Sequence, residues 1–304
     1  MLLNTLSALT RAWDAKRDEV FLVDNSSTDD SLERVAAAFP QTIIIRNRCN
    51  NGFARANNQA IARASGEFIL LLNSDAVIAA DVLERFEADF RRDPRIGAIT
   101  GQLQDAAGGL QRSCGALPTA LNELGLGFLK KKPVPIERDG LVETETLVGA
   151  CMAVRDAAIQ EAGSLDNDFF FYGEDIEWSY RLRRHGWKVV VDPAARITHI
   201  KGGATRGNRR GAHIEMLRAR LQFYRKTMSA PLALFVTLFR VLRLFINSLV
   251  NLAAMILTLG LLAKTREKTI SYFLQLAWLA LGRPEHWGLP DKCPRGIDPT
   301  MASE

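Results

Sequence analysis

The chain has 304 residues, of which 47% are hydrophobic and 24% charged, and this composition is enough to bury a large core. It excludes a mainly disordered protein. The net charge of +5 hides an asymmetry, because residues 201–304 carry sixteen Lys and Arg against six Asp and Glu. A basic segment attracts polyanions, either nucleic acid or anionic lipid, and the long apolar run inside this one favours lipid.

The cysteines are few and widely spaced. Cys49, Cys114, Cys151 and Cys293 form no CxxC pair, so the sequence predicts neither a zinc site nor a disulfide framework. A reducing cytoplasm is the simplest compartment for such a chain. Met1 is followed by no basic region and uninterrupted apolar run, so we expect no secretory signal.

The first hundred residues alternate short apolar runs, at 20–23, 42–45, 68–72 and 96–100, with helical segments. This alternation predicts βαβ units on a largely parallel sheet. The helix near residues 30–39 begins with a pattern typical of a capping box, Asp30-x-x-Glu33, and Pro40 ends it. The fold class expected is therefore α/β.

Beyond Gly101 the regular alternation of apolar runs and helical segments ends. A hairpin turn is expected at 105–109, and residues 117–145 are interrupted by Pro, Lys and Gly, which indicates a loop-rich insertion lining a site. A strand at 146–154, a helix at 174–185 and strands at 187–191 and 196–200 follow. The compact domain is expected to end near Gly203, giving domains at 1–203, 204–230 and 231–304.

The last hundred residues predict a basic helix at 214–226 and an apolar segment at 231–263. Within it, residues 244–263 lack charge and could cross about 30 Å of hydrocarbon as a helix. The polar residues of this region fall on one helical stripe, which suits a helix at the headgroup boundary or one packed against a partner. They are Arg240, Arg243, Asn247, Asn251 and Thr258. With the shorter run at 270–281, we favour a monotopic hairpin, and the length keeps a transmembrane helix open.

Two acidic residues follow predicted strands. Asp24 could accept hydrogen bonds from a base or ribose at the carboxyl end of its strand, although, taken alone, this motif is explained slightly better by an Asx-rich turn that caps a helix. Asp75 follows the run at 68–72 and offers a carboxylate for Mg²⁺ or Mn²⁺, and its value as a metal ligand depends on sharing a sheet edge with Asp24. A helix N-cap is the alternative for Asp75.

A second acidic group, Glu174 and Asp175, opens the predicted helix at 174–185 behind an aromatic run. The helix N-terminus stabilises ionised carboxylates, so one of the two acids could act as a general base. Plain capping is the alternative. His199, after the last predicted strand, is a candidate metal ligand, although a lone His is more often structural.

Four ordered motifs carry a family resemblance. They are VDNSSTDDS around Asp24, NNGFARANNQAI at 50–61, LLNSDA at 71–76 and GACMAVRDAAIQEAG…FFFYGEDIEWSYRLRRHGWKV at 149–189. Together they resemble glycosyltransferase family 2, and in particular its rhamnosyltransferase-like bacterial members. The resemblance spans residues 20–203.

This resemblance implies a GT-A fold with a mostly parallel central sheet and membrane-associated C-terminal helices. The nucleotide-sugar site would include Asp24, Asn50, Gly52 and Asn57. Asp75, with His199, would hold Mg²⁺ or Mn²⁺, and Asp175, beside Glu174, would activate the acceptor. The second acid of a full DxD motif is absent, and a buried strand expected before the first helix is missing from the sequence, which opens Met1-Leu2-Leu3-Asn4.

The function expected is inverting transfer of a sugar, rhamnose by likeness, from a nucleoside-diphosphate sugar to a lipid-linked or cell-surface glycan. The enzyme would work at the cytoplasmic face of a bacterial inner membrane, bound peripherally or monotopically to anionic lipid. The alternative is a non-catalytic membrane-bound scaffold derived from such an enzyme. A dinucleotide-dependent oxidoreductase is disfavoured because no G-x-G-x-x-G follows a predicted strand, and nucleic-acid binding because the basic charges interleave with apolar residues.

Overall fold

The computed structural model describes residues 1–126, 137–138, 140–200, 207–290 and 292–293. The helices are α1 (Leu2–Leu9), α2 (Ser31–Ala38), α3 (Phe53–Ile61), α4 (Val82–Arg92), α5 (Ala120–Glu123), α6 (Asp156–Ala162), α7 (Glu174–Arg184), α8 (Arg209–Thr227), α9 (Ala230–Leu257) and α10 (Ala263–Ala280). The strands are β1 (Phe21–Asp24), β2 (Ile43–Arg46), β3 (Phe68–Leu72), β4 (Ala76–Ile78), β5 (Ile96–Gln104), β6 (Cys114–Gly115), β7 (Glu137–Arg138), β8 (Leu141–Glu143), β9 (Thr146–Leu147), β10 (Cys151–Arg155) and β11 (Lys188–His199).

The first βαβ unit forms as predicted, with β1 and β2 parallel and α2 between them. Its capping box does not form. In the described part of the chain the Asp30 side chain makes no cap hydrogen bond, and Asp29 is the residue whose carboxylate accepts from the Ser31 amide at 3.1 Å. An acidic residue one position earlier thus takes the turn that the pattern assigned to Asp30.

The prediction of one mostly parallel sheet is wrong. Within the described residues β1 and β2 form a sheet of their own, and the main sheet has the order β3-β10-β5-β11-β8-β7 with β4 beside β11. Only β5 and β11 run parallel in it, and the other pairs are antiparallel. Because β10 inserts between β3 and β5, strands adjacent in sequence are separated in space, which periodicity cannot reveal.

Two strand boundaries differ from expectation. The strand expected at 146–154 is split into β9 and β10 by a turn at residues 148–150, and the two pieces join different sheets. The strands expected at 187–191 and 196–200 are instead one strand, β11, which continues past Pro193 through a register shift between Asp192 and Arg196. The irregularity absorbs the proline, which cannot donate to the ladder.

The main sheet is covered on both faces. One apolar cluster packs α4 against β5, with Phe86 and Phe90 beneath Ile99. The cluster on the other face packs α7 against the same sheet, through Trp178 and Leu182. In this three-layer arrangement the C-terminal end of β3, the start of β10 and the C-terminal end of β11 lie at the same end of the sheet, where the chain continues in loops.

The segment at 117–145 contains regular structure as well as loops, namely α5, β7 and β8. Its residues 127–136 and 139 lie outside the described part of the chain, as does the expected domain end at Gly203. The turn expected at 105–109 is present, since the amide of Asp105 donates to the carbonyl of Gly109 at 2.8 Å.

The C-terminal helices pack onto the rest of the molecule. A third apolar cluster joins Tyr224 of α8, Val236 of α9 and Trp278 of α10 to Phe169, which lies just before α7. Arg240 of the polar stripe donates to Glu123 of α5 at 2.9 Å, whereas Arg243 of the same stripe is exposed. The placement of the stripe, at a headgroup boundary or against a partner, stays a prediction.

The opposite face of α9 is apolar and exposed. The large hydrophobic residues at least 40% exposed on this helix are Leu232, Leu234, Phe235, Leu238, Leu242, Phe245, Ile246, Leu249, Val250, Ile256 and Leu257. By length and composition α9 is the one helix in the described chain that could cross a membrane, with a mean hydropathy of 1.8 over its most apolar window. Membrane crossing does not follow from that alone.

A disulfide bond that spacing did not predict joins Cys49 to Cys293, whose Cα atoms are 5.1 Å apart. The two cysteines are 244 residues apart in sequence, so no local pattern could pair them. Cys114 and Cys151 remain free. The bond fastens the segment after α10 to the loop after β2.

Candidate active site

Asp24 ends β1 and is 8% exposed. Its carboxylate accepts from the backbone amide of Ser27, at 3.1 Å from Oδ1 and 3.3 Å from Oδ2. That contact is the turn-forming one expected of an Asx residue. The contact of Asp24 with a nucleotide stays a prediction.

An amide network joins the end of β1 to the loop before α3. Asn47 Nδ2 donates to Asn25 Oδ1 at 3.0 Å and to Gln59 Oε1 at 2.9 Å, and Asn25 Nδ2 donates to the carbonyl of Gly52 at 3.2 Å. Sequence reasoning missed Asn25, Asn47 and Gln59. The signal was the density of Asn residues in two motifs, since buried amides need partners.

The loop at residues 50–53 is held tightly. Asn50 Oδ1 accepts from the amide of Gly52 at 2.9 Å, and the amide of Phe53 donates to the carbonyl of Phe170 at 2.8 Å. Gly52 has φ 80°, and a Cβ there would collide with the carbonyl of Phe170, so only glycine fits. Asn57 Nδ2 donates to the carbonyl of Phe53 at 2.8 Å, so this side-chain hydrogen bond is made within α3.

Asp75 and His199 lie side by side, with His199 Nε2 at 3.4 Å from Asp75 Oδ1. The pairing of β4 with β11 brings them together, because His199 is opposite Ala76 and the amide of Ile200 donates to the carbonyl of Asp75. His199 is 9% exposed, and its Nδ1 has no hydrogen-bond partner among the described residues. Asp75 and Asp24 do not share a sheet, contrary to expectation.

This pair fits a divalent cation. A carboxylate and an imidazole are suitable ligands for Mn²⁺, and such ions complete their shell with water and substrate phosphates. The nitrogen of His199 that faces Asp75 is Nε2, so a cation shared by the two residues would be bound through Nε2 and a carboxylate oxygen of Asp75. Within the described residues, no group of three or more His, Cys, Asp or Glu is arranged as a metal site.

Glu174 and Asp175 begin α7, after a turn in which Tyr172 has a left-handed φ of 71°. Asp175 Oδ2 accepts from the amide of Gly149 at 3.0 Å, and Oδ1 accepts from Ile176 at 2.8 Å. Glu174 is 7% exposed, and its Oε2 has no partner within the described chain. Asp175 is the more accessible of the two acids.

Burial shifts the two acids in the same direction. It raises the pKa of Glu174 to about 8, and the neighbouring charge of Asp175 adds to this rise. Burial also raises the pKa of Asp175, while the amides of Gly149 and Ile176 oppose the rise. Because the charge of Asp175 is among the causes that raise the pKa of Glu174, Asp175 is the acid of the pair that loses its proton first, and Glu174 holds its proton to a higher pH. An ionised carboxylate with raised proton affinity is suited to general-base work.

The acid pair and the Asp75–His199 pair are held by adjoining loops. The loop before β10 donates the Gly149 amide to Asp175, and its next residue, Ala150, accepts from the amide of Asn73 at 2.9 Å. Asn73 Oδ1 is buried and has no partner among the described residues. One short loop therefore fixes the base relative to the candidate metal ligands.

Gln111 is a further residue that sequence reasoning missed. Its Nε2 donates to the carbonyl of His199 at 2.9 Å, and its buried Oε1 lacks a partner in the described chain. It follows a predicted turn in a segment without periodicity, so no pattern marked it.

Two family models match the chain. The model described as Glycosyl transferase family 2 matches residues 1–125, and that described as Glycosyl transferase family group 2 matches residues 68–282. An N-acetylglucosaminyl-diphospho-decaprenol L-rhamnosyltransferase of Mycobacterium tuberculosis is 25% identical over 211 residues, covering 61% of this chain and 67% of the relative. A poly-beta-1,6-N-acetyl-D-glucosamine synthase of Staphylococcus aureus is 24% identical over 184 residues, covering 59% of this chain and 42% of the relative.

Two solved structures share the fold. The mannosyltransferase PcManGT from Pyrobaculum calidifontis, solved with GDP-Man and Mn²⁺, aligns with a TM-score of 0.55 and 16% identity, covering 93% of this chain and 82% of that one. GalNAc-T7, solved with UDP, GalNAc and Mn²⁺, aligns with a TM-score of 0.51 and 18% identity, covering 65% and 40%. At these identities the likeness shows a GT-A-like fold with a mixed sheet.

Proposed function

The chain belongs to glycosyltransferase family 2, and from this premise we propose that it transfers a sugar from a nucleoside-diphosphate sugar to a hydroxyl of a lipid-linked or cell-surface glycan. The observation that carries the proposal is the position of the acid pair, Glu174 and Asp175, one loop away from Asp75 and His199. A base and a diphosphate site side by side are what a single displacement at an anomeric carbon needs.

The donor would lie against the loop at residues 50–53. In this proposal Asp24 accepts hydrogen bonds from the nucleoside, while Asn50 and Gly52 shape the wall of the pocket. Asn57 acts on the donor indirectly, because its side-chain amide donates to the carbonyl of Phe53 in this loop. The absence of a Cβ at Gly52 lets the loop contact Phe170 closely, which fixes the wall relative to the start of α7.

Asp75 and His199 would hold Mg²⁺ or Mn²⁺. When bound, the cation would offset negative charge on the diphosphate leaving group. Gln111 donates to the His199 carbonyl, and this contact helps to orient the end of β11. The Mn²⁺ present with two solved relatives of the fold supports this choice of ion.

Asp175 would take the proton from the acceptor hydroxyl as that oxygen attacks the anomeric carbon from the face opposite the diphosphate. One displacement inverts the anomeric configuration. With its pKa raised to about 8, Glu174 is mostly protonated at neutral pH and adds no second negative charge beside Asp175. The amides of Gly149 and Ile176 aim the carboxylate of Asp175.

The rhamnosyltransferase from Mycobacterium tuberculosis supports rhamnose as the sugar and a polyprenyl-diphosphate-linked glycan as the acceptor. An acceptor of that kind lies in a membrane. The exposed apolar face of α9 and the basic excess of residues 201–304 support attachment to anionic lipid at the cytoplasmic face of a bacterial inner membrane. The proposed division is a catalytic domain at 1–203, a basic linker at 204–230 and a membrane-associated tail at 231–304.

The test is a donor panel. Purified full-length protein would be mixed with Mn²⁺, membrane lipid extract and dTDP-rhamnose, UDP-N-acetylglucosamine or GDP-mannose, and nucleoside diphosphate release would be followed. The proposal expects release from one donor that depends on both the extract and the metal. Failure of every donor, with the parent protein folded, would contradict it and favour the non-catalytic scaffold.

A further inference from the structure

The segment after α10 forms a strap, defined here as residues 284–290 and 292–293. Arg218 of α8 donates to three of its carbonyls, those of Pro284, Glu285 and Trp287, at 3.2, 3.4 and 2.8 Å. Trp278 Nε1 donates to the Pro284 carbonyl at 3.0 Å. The strap is thus attached to α8 and α10 along its length.

A buried carboxylate anchors the far end of the strap. Glu215 of α8 is 1% exposed, and its oxygens accept from the amide of Leu289 at 3.2 Å, from Arg218 and from Lys292. Gly288 lies so close that a Cβ would collide with Glu215 Oε1. A fully buried carboxylate is retained only where such partners satisfy it, so the strap and α8 fit one specific arrangement.

The strap ends on the proposed donor loop. The amide of Cys293 donates to the carbonyl of Asn50 at 3.0 Å, Lys292 forms a parallel bridge with Asn50, and Cys293 is bonded to Cys49. The ammonium of Lys292 lies 4.8 Å from the centre of the Phe170 ring. The backbone carbonyl of Phe170 accepts from the amide of Phe53. The loop at 50–53 is therefore held by the strap and by the segment leading to Asp175.

We infer that Lys292 and Cys293 are positioning residues for the nucleotide-sugar donor, and that opening the Cys49–Cys293 bond releases the loop at residues 50–53 and weakens donor binding. The inference rests on the proposed donor role of that loop. Disulfides of cytoplasmic proteins are commonly opened and closed in response to redox conditions, so the bond would make donor affinity sensitive to them.

The chemistry is thiol–disulfide exchange with a dithiol reductant. A thiolate of the dithiol attacks one sulfur of the bond, forms a mixed disulfide and releases the other cysteine as a thiolate. The second thiol of the dithiol then displaces the remaining cysteine. The protein gains two electrons and two protons, and the dithiol becomes a cyclic or protein disulfide.

The experiment compares oxidised full-length protein, the same protein after dithiothreitol, and the variants Cys49→Ser and Cys293→Ser. Cys114→Ser is the matched control, because it removes a cysteine and leaves the bond intact. The first readout is hydrogen exchange in the peptide spanning residues 50–53. The second is the Kd for dTDP, UDP and GDP with Mn²⁺, and for the active donor the KM and kcat.

Reduction and both bond-removing variants are expected to speed exchange in the loop and to raise the Kd and KM roughly fivefold or more, with kcat changed less than about twofold. Cys114→Ser is expected to match the parent protein. Unchanged exchange or an unchanged Kd on opening the bond would overturn the inference. If no nucleoside diphosphate binds in any state, the proposed function fails, and hydrogen exchange alone still decides whether the strap holds the loop.

Discussion

Replacing Asp175 by Asn removes the proposed proton acceptor and keeps nearly the same shape. General-base catalysis contributes about 10²–10⁴-fold, so kcat is expected to fall by that factor, which corresponds to about 3–5 kcal/mol of transition-state stabilisation. Donor binding should change little, because Asp175 contacts the protein through Gly149 and Ile176 and not through the loop at residues 50–53.

The structure also sets the effect of this change on folding. Asp175 accepts two backbone amides, and an Asn side chain has one oxygen to offer them. The lost hydrogen bond to a charged group costs about 1.5–3 kcal/mol, and removing a poorly solvated negative charge offsets part of that. The variant is therefore expected to fold, with a melting temperature that falls by a few degrees at most.

Glu174→Gln is the companion variant. Because burial raises the pKa of Glu174 to about 8, the residue is protonated at neutral pH and a Gln amide resembles it. We expect kcat within about tenfold of the parent enzyme, well above the value for Asp175→Asn. The assay is acceptor-dependent diphosphate release at saturating donor. Equal losses in the two variants, or near-normal turnover by Asp175→Asn, would refute the assignment of the base.

Four further outcomes are expected. Activity should decline on acidification at a higher pH than an ordinary Asp would give, because burial raises the pKa of Asp175 and protonation blocks the base; a kcat profile flat from pH 7 to pH 4 would contradict this. His199→Ala should raise the Mn²⁺ concentration needed for half-maximal activity at least tenfold, and activity that survives chelation in the parent would exclude a metal role. Burial and the charge of Asp192 raise the pKa of Asp89 to about 6, so the ionised form of Asp89 lowers the stability of the fold above that pH. Asp89→Asn should therefore raise the free energy of unfolding, measured by denaturant titration, by about 1–3 kcal/mol at pH 7, and this gain should shrink towards pH 4. Replacing Leu238 and Leu242, which are 59% and 55% exposed, by Gln should reduce flotation with anionic vesicles without changing the melting temperature, and unaltered flotation would exclude the α9 face as the attachment surface.

Local pattern predicted the elements well where composition marks their ends. The run at 68–72 became β3 with the same ends, and the helix predicted from residue 174 became α7, which starts there and ends one residue earlier. The first segment is an uninterrupted apolar run of strand length, and the second opens with Glu174 and Asp175, acidic residues that favour a helix N-terminus. Short breaks within a strand were harder to predict. The turn at 148–150 interrupts a run of residues that is apolar on both sides of the break.

Contacts between segments that are distant in sequence could not be predicted from local sequence pattern. The insertion of β10 between β3 and β5, the Cys49–Cys293 bond and the strap all depend on which distant segments meet in space. For the site, the motifs marked Asp75 and Asp175, and His199 was named from its position after the last predicted strand. The structure places His199 Nε2 at 3.4 Å from Asp75 Oδ1. It also adds Asn47 and Gln111, uncharged amides whose importance lies in the groups they hold.

The most direct test of the account is to characterise the product of transfer. The enzyme would be supplied with one isotopically labelled nucleotide sugar, Mn²⁺ and the lipid acceptor fraction, and the lipid would be analysed by mass spectrometry and NMR. We expect one labelled sugar on the acceptor for each nucleoside diphosphate released, with an anomeric configuration opposite to that of the donor, and loss of this product with Asp175→Asn. Diphosphate release without a glycosylated lipid, or a product that retains the donor's configuration, would contradict it.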